Sequence, residues 1–232
     1  MPEKIKISVV MPSFNEAGAI APMIEAVRKN TAQFDTEILL VDSSKDKTPE
    51  IARSLGAKVI DQPPQGHGMA LKAALENASS DIVITSDCDN TYPMEFIPEL
   101  VRLVTEEKFD IISCNRMTAQ LGREMPRMNK FGNWMFAFMV RCLYGIKVHD
   151  VTTGMFCMRK KVINTVKFET NYSLPCEIIV RSVRAGFKHK EIDIPYRIRI
   201  GEVTLNKWRS GKAYIKCIFN YRFNLGISAG EL

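Results

Sequence analysis

The sequence predicts an α/β fold in which a mostly parallel central sheet carries helices on both faces. Short β-branched segments alternate with segments of helical periodicity through the first half of the chain. Polar residues follow each of these strand-like segments at once, as they do at the carboxyl ends of parallel strands, where α/β proteins bind ligands. The chain has 232 residues, 46% of them hydrophobic, which is enough to bury a full core. We therefore predict a single domain over residues 1–232, without a linker.

The first half, residues 1–115, is predicted to be a doubly wound unit of five strands and four helices. The strand-like segments are, in order, KISVVMP, TEILLVDSS, AKVIDQ, DIVITSD and FDIISCN. The helical segments between them are EAGAIAPMIEAVRKN, KTPEIARSLG, GMALKAALENA and MEFIPELVRLVTEE. Parallel strands that are joined by helices end along one edge of the sheet, so the polar residues that follow them are expected to meet there.

The second half, residues 116–232, is less regular in sequence. A loop rich in Met, Arg and Pro leads into an aromatic helix over residues 129–144. The later segments are a strand in GMFCMRK, a helix in LPCEIIVRSVRAG, a strand in HKEIDIPYRI and an amphipathic helical segment in KAYIKCIFNYRFNLGI. We expect the binding crevice to lie between the two halves.

The distribution of charge indicates an anionic partner. The net charge is +6, and bases are concentrated after residue 115. Such an excess suits a nucleic acid, a phosphorylated ligand or a membrane surface, and composition alone does not choose among them. No nucleic acid is expected, because the bases follow no recognised nucleic-acid motif and acidic strand ends would repel its phosphates.

Other classes of protein are disfavoured by simple counts. Six cysteines occur without a C-x-x-C pair, which indicates packed, reduced thiols rather than a zinc site or a disulfide framework. The apolar run at the N-terminus is too short for a signal peptide, which favours a cytoplasmic location. A membrane span of roughly 18 to 20 apolar residues is not expected, since Arg141 and Lys147 interrupt the best candidate segment.

The sequence "SDCDN" places two carboxylates, Asp87 and Asp89, directly after a buried strand. Two oxygen ligands at a strand's carboxyl end suit a hard divalent cation that keeps several waters and shares a substrate's phosphates. An ordinary turn is the alternative, because Asp and Asn favour turns and D-x-D is a short pattern. Gly66 and Gly68, on either side of His67, would allow a phosphate to approach the backbone before a helix, although a lone G-x-G is weak support.

Seven segments together have a recognisable pattern: VVMPSFNEAGAI, ILLVDSSKDKTPEIA, GHGMALKAAL, TSDCDNTYP, DVTTGMFCMRK, CEIIVRSVRAGF and IPYRIRIGEVTLNKWRSG. Their order resembles that of the inverting family 2 glycosyltransferases of the GT-A fold, and among them the dolichyl and polyprenyl phosphate mannose and glucose synthases. The resemblance covers about residues 5 to 212. The set is therefore much more specific than any single motif in it.

The resemblance implies a donor site in the first half of the chain. Asp87 and Asp89 would hold Mg²⁺ or Mn²⁺ against the diphosphate of a GDP- or UDP-hexose, with Asp89 the more direct ligand. The residues expected to contact the nucleotide are Pro12, Asn15, Glu16, Asp42, Ser44, His67 and Gly68, together with Asp87. Ser44 has a second interpretation as a cap of the helix that starts near Pro49.

The resemblance also implies an acceptor site in the second half. Arg116, Arg127 and Arg199 would face phosphates, and with Asp87 and Asp89 they form the predicted catalytic set. The residues expected to border the sugar or the acceptor are Asp150, Thr153, Gly154, Glu177 and Glu202. One departure from the family is clear: the loop that usually continues with Ser-Lys-Leu reads Val203-Thr204-Leu205. Either another base, such as Lys207 or Arg209, supplies the missing cation, or the donor preference or the rate differs.

The predicted reaction transfers a hexose to polyprenyl or dolichyl phosphate at the cytoplasmic face of a membrane. A lipid phosphate needs positioning by Arg and Lys rather than a general base, because its second pKa lies near ~6. Aromatic and basic residues mixed over 129–144 and 208–223 suit a membrane surface, with packing in a core or a dimer face as the alternative.

Two other functions remain open from the sequence. One is a family 2 transferase that acts on a sugar hydroxyl, with Glu177 or Asp150 as its base. The other is a catalytically silent subunit that binds a sugar nucleotide, suggested by the Val203-Thr204 departure. The nucleotide base and any membrane-protein partner or homo-oligomer are not decided by the sequence.

Overall fold

A computed structural model describes residues 4–118, 125–201 and 207–228. Seven strands and eight α-helices occur in these ranges. The strands are β1 Lys6–Ser13, β2 Asp35–Asp42, β3 Lys58–Asp61, β4 Ile82–Thr85, β5 Ile111–Asn115, β6 Phe156–Arg159 and β7 His189–Asp193. The helices are α1 Ile20–Asn30, α2 Thr48–Ser54, α3 His67–Asn77, α4 Ile97–Thr105, α5 Arg127–Tyr144, α6 Lys160–Val166, α7 Leu174–Arg184 and α8 Lys207–Phe223.

One seven-stranded sheet forms the centre of the molecule, in the order β3-β2-β1-β4-β6-β5-β7. All neighbouring pairs are parallel except those of β6, which runs antiparallel to both β4 and β5. The predicted mostly parallel sheet is thus confirmed. The sequence predicts that β5 belongs to the doubly wound unit of the first half. In the structure, β6 from the second half lies between β4 and β5.

Apolar residues on successive strand positions pack against the two helical layers. Val10, Leu39 and Val41 point into a core formed with α3, α5, α6, α7 and α8. Val9, Met11 and Leu40 point into the opposite core with α1, α2 and α4. This alternation follows from the period of two along a strand. Because both faces are covered, the central strands consist almost entirely of buried residues.

Helices α5 and α8 pack together beside the sheet and leave one face of each outside the core. The ring of Phe136 stacks on Tyr214 with their centroids 5.1 Å apart. Phe131, Trp134 and Phe138 lie on the outer face of α5 and are 61%, 55% and 49% exposed. In the described ranges, no helix has the length and apolar character that crossing a bilayer requires. All six cysteines are free, and five of them are buried while Cys142 is exposed.

Candidate active site

The carboxyl ends of β1, β2 and β4 bring the polar residues together at one edge of the sheet. β1 lies between the other two, with Ser13 in register with Asp42 at the last position of β2. The Ser13 hydroxyl donates to Asp42 Oδ1 at 2.5 Å. Asp87 and Asp89 follow β4 directly. The convergence expected from parallel topology is therefore observed.

Asp42 is fixed in one orientation by its neighbours. It is buried, and Ser44 donates to it twice, from Oγ to Oδ1 at 2.7 Å and from the backbone N–H to Oδ2 at 2.9 Å. The backbone N–H of Asn15 donates in turn to Ser44 Oγ at 2.7 Å. Asn15 has a φ of +58°, a left-handed conformation that Asn tolerates better than most residues. Pro12, one residue before Ser13, is buried within β1. Ser13, Asn15, Asp42 and Ser44 thus form a hydrogen-bonded polar wall beside Pro12.

Asp87 and Asp89 lie in what we call the aspartate loop, residues 86–91. Asp89 is buried, and its Oδ1 accepts hydrogen bonds from the Thr91 hydroxyl at 2.5 Å and the Thr91 N–H at 3.0 Å. Asp87 is more exposed and contacts His67 Nε2 at 2.9 Å. Asn90, which lies between Asp89 and Thr91, has a φ of +68° and is therefore left-handed, as Asn15 is. Such a backbone conformation is sparsely populated and often marks a functional site.

The two carboxyl groups differ in electrostatic environment. Burial and the nearby charge of Asp87 raise the pKa of Asp89. Burial also acts to raise the pKa of Asp87, but the hydrogen bond and charge of His67 outweigh it, so that pKa lies below its ordinary value. Two acids so close together repel each other unless a cation lies between or beside them. The pair is therefore suited to a positively charged ligand.

Arg199 bridges Asp89 and Glu16. Its Nη1 lies 2.8 Å from Asp89 Oδ2, and its Nη2 lies 3.1 Å from Glu16 Oε1. Burial raises the pKa of Glu16, and the charge of Arg199 offsets this only in part. Glu16 Oε2 is buried and has no hydrogen-bond partner in the part of the chain that the structure describes. A Cβ added at Gly201 would lie 3.0 Å from that oxygen, and Gly201 has a φ of +101°, so both space and backbone conformation favour glycine there.

Arg116 is held beside this cluster by a buried ion pair. Its Nε donates to Asp150 Oδ2 at 2.7 Å and its Nη2 donates to Asp150 Oδ1 at 3.0 Å, a bidentate arrangement. The guanidinium also lies over the rings of Tyr92 and Tyr196, 5.6 and 5.4 Å from their centroids. From α5, Asn133 donates to the same Asp150 Oδ1 at 2.9 Å. Arg116 thus has a fixed position in which Nη1 takes no part in the contacts to Asp150.

Gly154 lies against the aspartate loop. A Cβ added there would lie 3.1 Å from Asp87 Oδ2 and 3.2 Å from the Tyr92 hydroxyl. The N–H of Gly154 donates to that hydroxyl at 2.5 Å. A larger residue at this position would push Asp87 away, so glycine shapes the site. The neighbouring Thr153 is fully buried, and its hydroxyl accepts from Met155 N–H at 3.3 Å.

The glycines around His67 have a packing role. A Cβ on Gly68 would lie 2.0 Å from the backbone oxygen of Asn171, and one on Gly66 would meet the Asn171 side chain. Asn171 donates from Nδ2 to Gln65 O at 2.7 Å and accepts from Met69 N–H at 3.3 Å. Asn171 therefore holds the start of α3 in place. Close approach of a nucleotide to Gly68 stays a prediction.

The residues at this edge fit a divalent cation of the magnesium or manganese type. Such ions bind through one or two carboxylates and take their other ligands from water and substrate phosphates. Asp87 and Asp89 supply the carboxylates, and the unpartnered Glu16 Oε2 adds a negative atom nearby. Within the described ranges, no group of three or more His, Cys, Asp or Glu residues could hold a metal without a substrate. Substrate phosphates would thus have to complete the coordination.

A family model supplies the deciding comparison. The model of "Glycosyl transferase family 2" matches residues 8–167, which include most of β1, all of β2 to β6 and the aspartate loop. The chain belongs to glycosyl transferase family 2. It is therefore a glycosyltransferase, as the resemblance implies.

Relatives within and near the family agree with this assignment. A dolichyl-phosphate hexose transferase of Haloferax volcanii is 40% identical over 213 residues, covering 91% of this chain and 92% of the relative. A dolichol-phosphate mannosyltransferase of Pyrococcus furiosus is 25% identical over 214 residues, covering 84% of this chain and 57% of the relative. Glucosyl-3-phosphoglycerate synthase of Mycobacterium tuberculosis, crystallised with Mn²⁺ and UDP, has a TM-score of 0.73 at 21% identity, covering 94% of this chain and 80% of that one. This structural likeness confirms the GT-A fold.

Several predicted residues of this glycosyltransferase lie away from the aspartate loop or outside the described ranges. Glu177 is fully buried on α7, where it accepts from Thr170 N–H at 2.8 Å, from Arg181 Nη1 at 2.5 Å and from the Tyr221 hydroxyl of α8 at 3.0 Å. These contacts give it a structural role, and its contact with a substrate stays a prediction. Arg127 is exposed at the first residue of α5. The predictions for Glu202, Val203, Thr204 and Leu205, and for the side chain of Lys207, concern positions that the structure does not describe.

The tyrosines that enclose Arg116 are not among the site residues predicted from the sequence. Tyr92 is fully buried and Tyr196 half-buried, and they come from segments more than one hundred residues apart. Tyr92 immediately follows the aspartate loop, which was the available signal for it. Tyr196 and Asn133 carry no local signal, because their contacts depend on long-range packing.

Proposed function

We propose that this glycosyltransferase moves a hexose from a nucleotide-sugar donor to the phosphate of a polyprenyl or dolichyl phosphate, with inversion at the anomeric carbon. The observation that carries the proposal is the environment of Asp150 and Glu177. Both are fully buried and accept hydrogen bonds from protein donors, so neither is free to deprotonate a sugar hydroxyl. A phosphate acceptor needs no such base. The dolichyl-phosphate hexose transferase that is 40% identical points to the same acceptor.

The donor would lie along the edge formed by β1, β2 and the aspartate loop. We assign Asp42, Ser44, Asn15 and Pro12 to the nucleoside, as the polar wall they form suggests. Asp87 and Asp89 would hold Mg²⁺ or Mn²⁺, which would neutralise charge on the departing diphosphate. His67 would keep Asp87 oriented through their 2.9 Å contact.

The acceptor phosphate would be positioned by arginines. Arg199 contacts Asp89 of the aspartate loop, and Arg116, which is paired with Asp150, lies against the ring of Tyr92, the residue that follows the loop. A phosphate oxygen would form the new bond to the anomeric carbon as the bond from that carbon to the donor's diphosphate oxygen breaks, with both electrons leaving on the diphosphate. Guanidinium groups beside the two anionic substrates would suppress the repulsion between them, and the fixed position of Arg116 would limit the reorganisation during transfer.

A transfer assay tests the proposed function. Radiolabelled sugars from a panel of GDP- and UDP-donors would be offered with Mg²⁺ or Mn²⁺ to a short polyprenyl phosphate and, separately, to a lipid-linked sugar with free hydroxyls. We expect a labelled polyprenyl phosphate product from one donor, and its loss on chelation with EDTA. Product only on the hydroxyl acceptor would support the rival transferase. Metal-dependent nucleotide binding with no product on either acceptor would support a silent binding subunit.

We also propose that the outer faces of α5 and α8 lie on the membrane that carries the lipid. Phe131, Trp134 and Phe138 form a stacked row, with centroid separations of 6.1 and 5.8 Å. On α8, Phe219 stacks on Phe223 at 6.0 Å, and Trp208 is 85% exposed. Large exposed aromatics beside exposed bases are typical of helices that lie in a membrane interface.

Vesicle binding tests this membrane face. Replacing Trp134 and Phe138 together by serine removes two large aromatic side chains from the outer face of α5. We expect binding to vesicles that contain anionic lipid to weaken by about 100-fold or more, since burial of each aromatic contributes roughly 1.5–3 kcal/mol and two are removed. Co-sedimentation would measure the change. Ile5→Ser, at an exposed position before β1, is the control; equal binding by the double variant and this control would contradict the proposed orientation.

A further inference from the structure

A short segment crosses the aspartate loop from the second half of the chain. Residues 196–200, which we call the strap, follow β7. The N–H of Arg197 donates to Thr91 O at 3.1 Å, and the N–H of Ile200 donates to Asp89 O at 2.9 Å. The strap is therefore held by the backbone of the loop whose carboxylates are the proposed metal ligands. Tyr196 of the strap lies against Arg116.

Arg199 reaches from the strap to an oxygen that a divalent cation would need. Its Nη1 lies 2.8 Å from Asp89 Oδ2, while Asp89 Oδ1 is already engaged by Thr91. The other guanidinium nitrogen lies 3.1 Å from Glu16 Oε1. A cation that binds Asp89 through Oδ2 would therefore compete with Arg199 for the same oxygen. The bound cation and the guanidinium of Arg199 would also lie side by side, and the repulsion between their positive charges is unfavourable unless an anion binds between them.

We propose that Arg199 and the divalent cation exchange at Asp89 Oδ2, and that this exchange couples binding of the metal to binding of the nucleotide diphosphate. The inference rests on the proposed function in one respect, that Asp89 is a ligand of the donor's metal. The cation alone must break the contact between Arg199 and Asp89. When the diphosphate is also present, the displaced guanidinium gains phosphate oxygens, which match its fork of donors. Metal and nucleotide then favour each other.

Glu16 keeps the displaced arginine near the site. Because Nη2 of Arg199 contacts Glu16 Oε1, the side chain has a second carboxylate to hold when it leaves Asp89. Among the described residues, Glu16 Oε2 and Arg199 Nε are both buried without hydrogen-bond partners, so each of these atoms can still form a hydrogen bond in a different arrangement. Unsatisfied buried polar atoms are unfavourable, and a rearrangement that pairs them with a ligand would relieve this. The contacts therefore favour movement of Arg199 within the site.

Direct measurement of Mn²⁺ binding tests the exchange without any turnover. Free Mn²⁺ is followed by electron paramagnetic resonance during titration of the full chain, alone and with UDP or GDP. We expect Arg199→Met to bind Mn²⁺ alone about tenfold more tightly than the wild type, because the competing cation is gone. We expect the gain in Mn²⁺ affinity that the nucleotide gives to shrink by a similar factor, because the variant has no guanidinium that the metal displaces and the diphosphate then binds.

Arg197→Met is the matched control, since Arg197 lies on the same strap and pairs with Glu95 on the surface. Arg199→Gln is a second variant that preserves some hydrogen bonding and should show the same directions. If the wild type binds Mn²⁺ with a nucleotide, but both Arg199 variants behave like Arg197→Met, the exchange is wrong and the proposed function stands. If no variant or wild type binds Mn²⁺ with either nucleotide, the proposed metal site is wrong and the exchange with it.

Discussion

Replacing Asp89 by asparagine should reduce the rate of hexose transfer by about 1,000-fold. The amide keeps the shape of the side chain but removes the charge that the proposed metal ligand supplies to a departing diphosphate. Stabilisation of that charge by a bound cation contributes several kcal/mol to the transition state, and each 1.36 kcal/mol corresponds to a factor of ten. The rate is measured with saturating donor and short polyprenyl phosphate.

Asp81→Asn provides the control for this effect. Asp81 is an exposed acid immediately before β4, whereas Asp89 is a buried acid shortly after it, so the two variants make the same chemical change at opposite ends of one strand. Asp81→Asn should leave transfer unchanged. If the rate of Asp89→Asn lies within tenfold of the rate of this control, Asp89 is not a ligand of the proposed metal. Loss of Mn²⁺ binding in the same variant would show that the reduced rate comes from the metal.

Asp150→Ala should lower the free energy of unfolding by about 3–5 kcal/mol. The substitution leaves the charge of Arg116 buried without its bidentate partner, and breaking a buried pair from one side is strongly unfavourable. It also removes the acceptor of Asn133, which ties α5 to the site. Urea unfolding, followed by circular dichroism, measures the change.

Two further variants separate the ion pair from other causes of instability. Arg116→Met combined with Asp150→Leu should be more stable than Asp150→Leu alone, because it removes both charges together. Asp61→Ala, which breaks the exposed pair with Arg53, should change stability much less. Equal effects of Asp150→Ala and Asp61→Ala would mean that the buried pair contributes little to folding.

Local sequence patterns predict the strands of the first half and the edge at which their polar ends meet. β-branched segments and period-two burial identify β1, β2 and β4, and parallel topology then places Asp42, Asp87 and Asp89 together. The position of β6 between β4 and β5 is different. It depends on pairing between residues more than 40 positions apart in the chain, which no local pattern specifies. Helix α6 is also not predicted, since it is short and contains two valines and an isoleucine.

The contacts of the charged residues are equally nonlocal. Arg116 as a site residue follows from the family resemblance, but its partner Asp150 lies 34 residues later. Arg199 and Glu16 are 183 residues apart, and their ion pair is visible only in the folded structure. Glu177 lies in a family motif, but the motif does not predict its hydrogen-bond partners. Four protein donors surround its carboxylate: the N–H groups of Glu169 and Thr170 and the side chains of Arg181 and Tyr221. The residue types therefore predict the chemistry of the site, whereas the hydrogen-bond and ion-pair partners of these residues are visible only in the folded structure.

The antiparallel strand β6 has a consequence for synthesis of the chain on the ribosome. β5 forms hydrogen bonds with β6 and β7, and both are made after it. A nascent chain that ends before Phe156 therefore exposes the edges of both β4 and β5, which cannot pair with each other in the native register. Unpaired strand edges promote association with other chains. Translation must pass residue 159 before β6 can cover the facing edges of β4 and β5, and residue 193 before β7 covers the other edge of β5, so the second half of the chain sets the time at which these edges are buried.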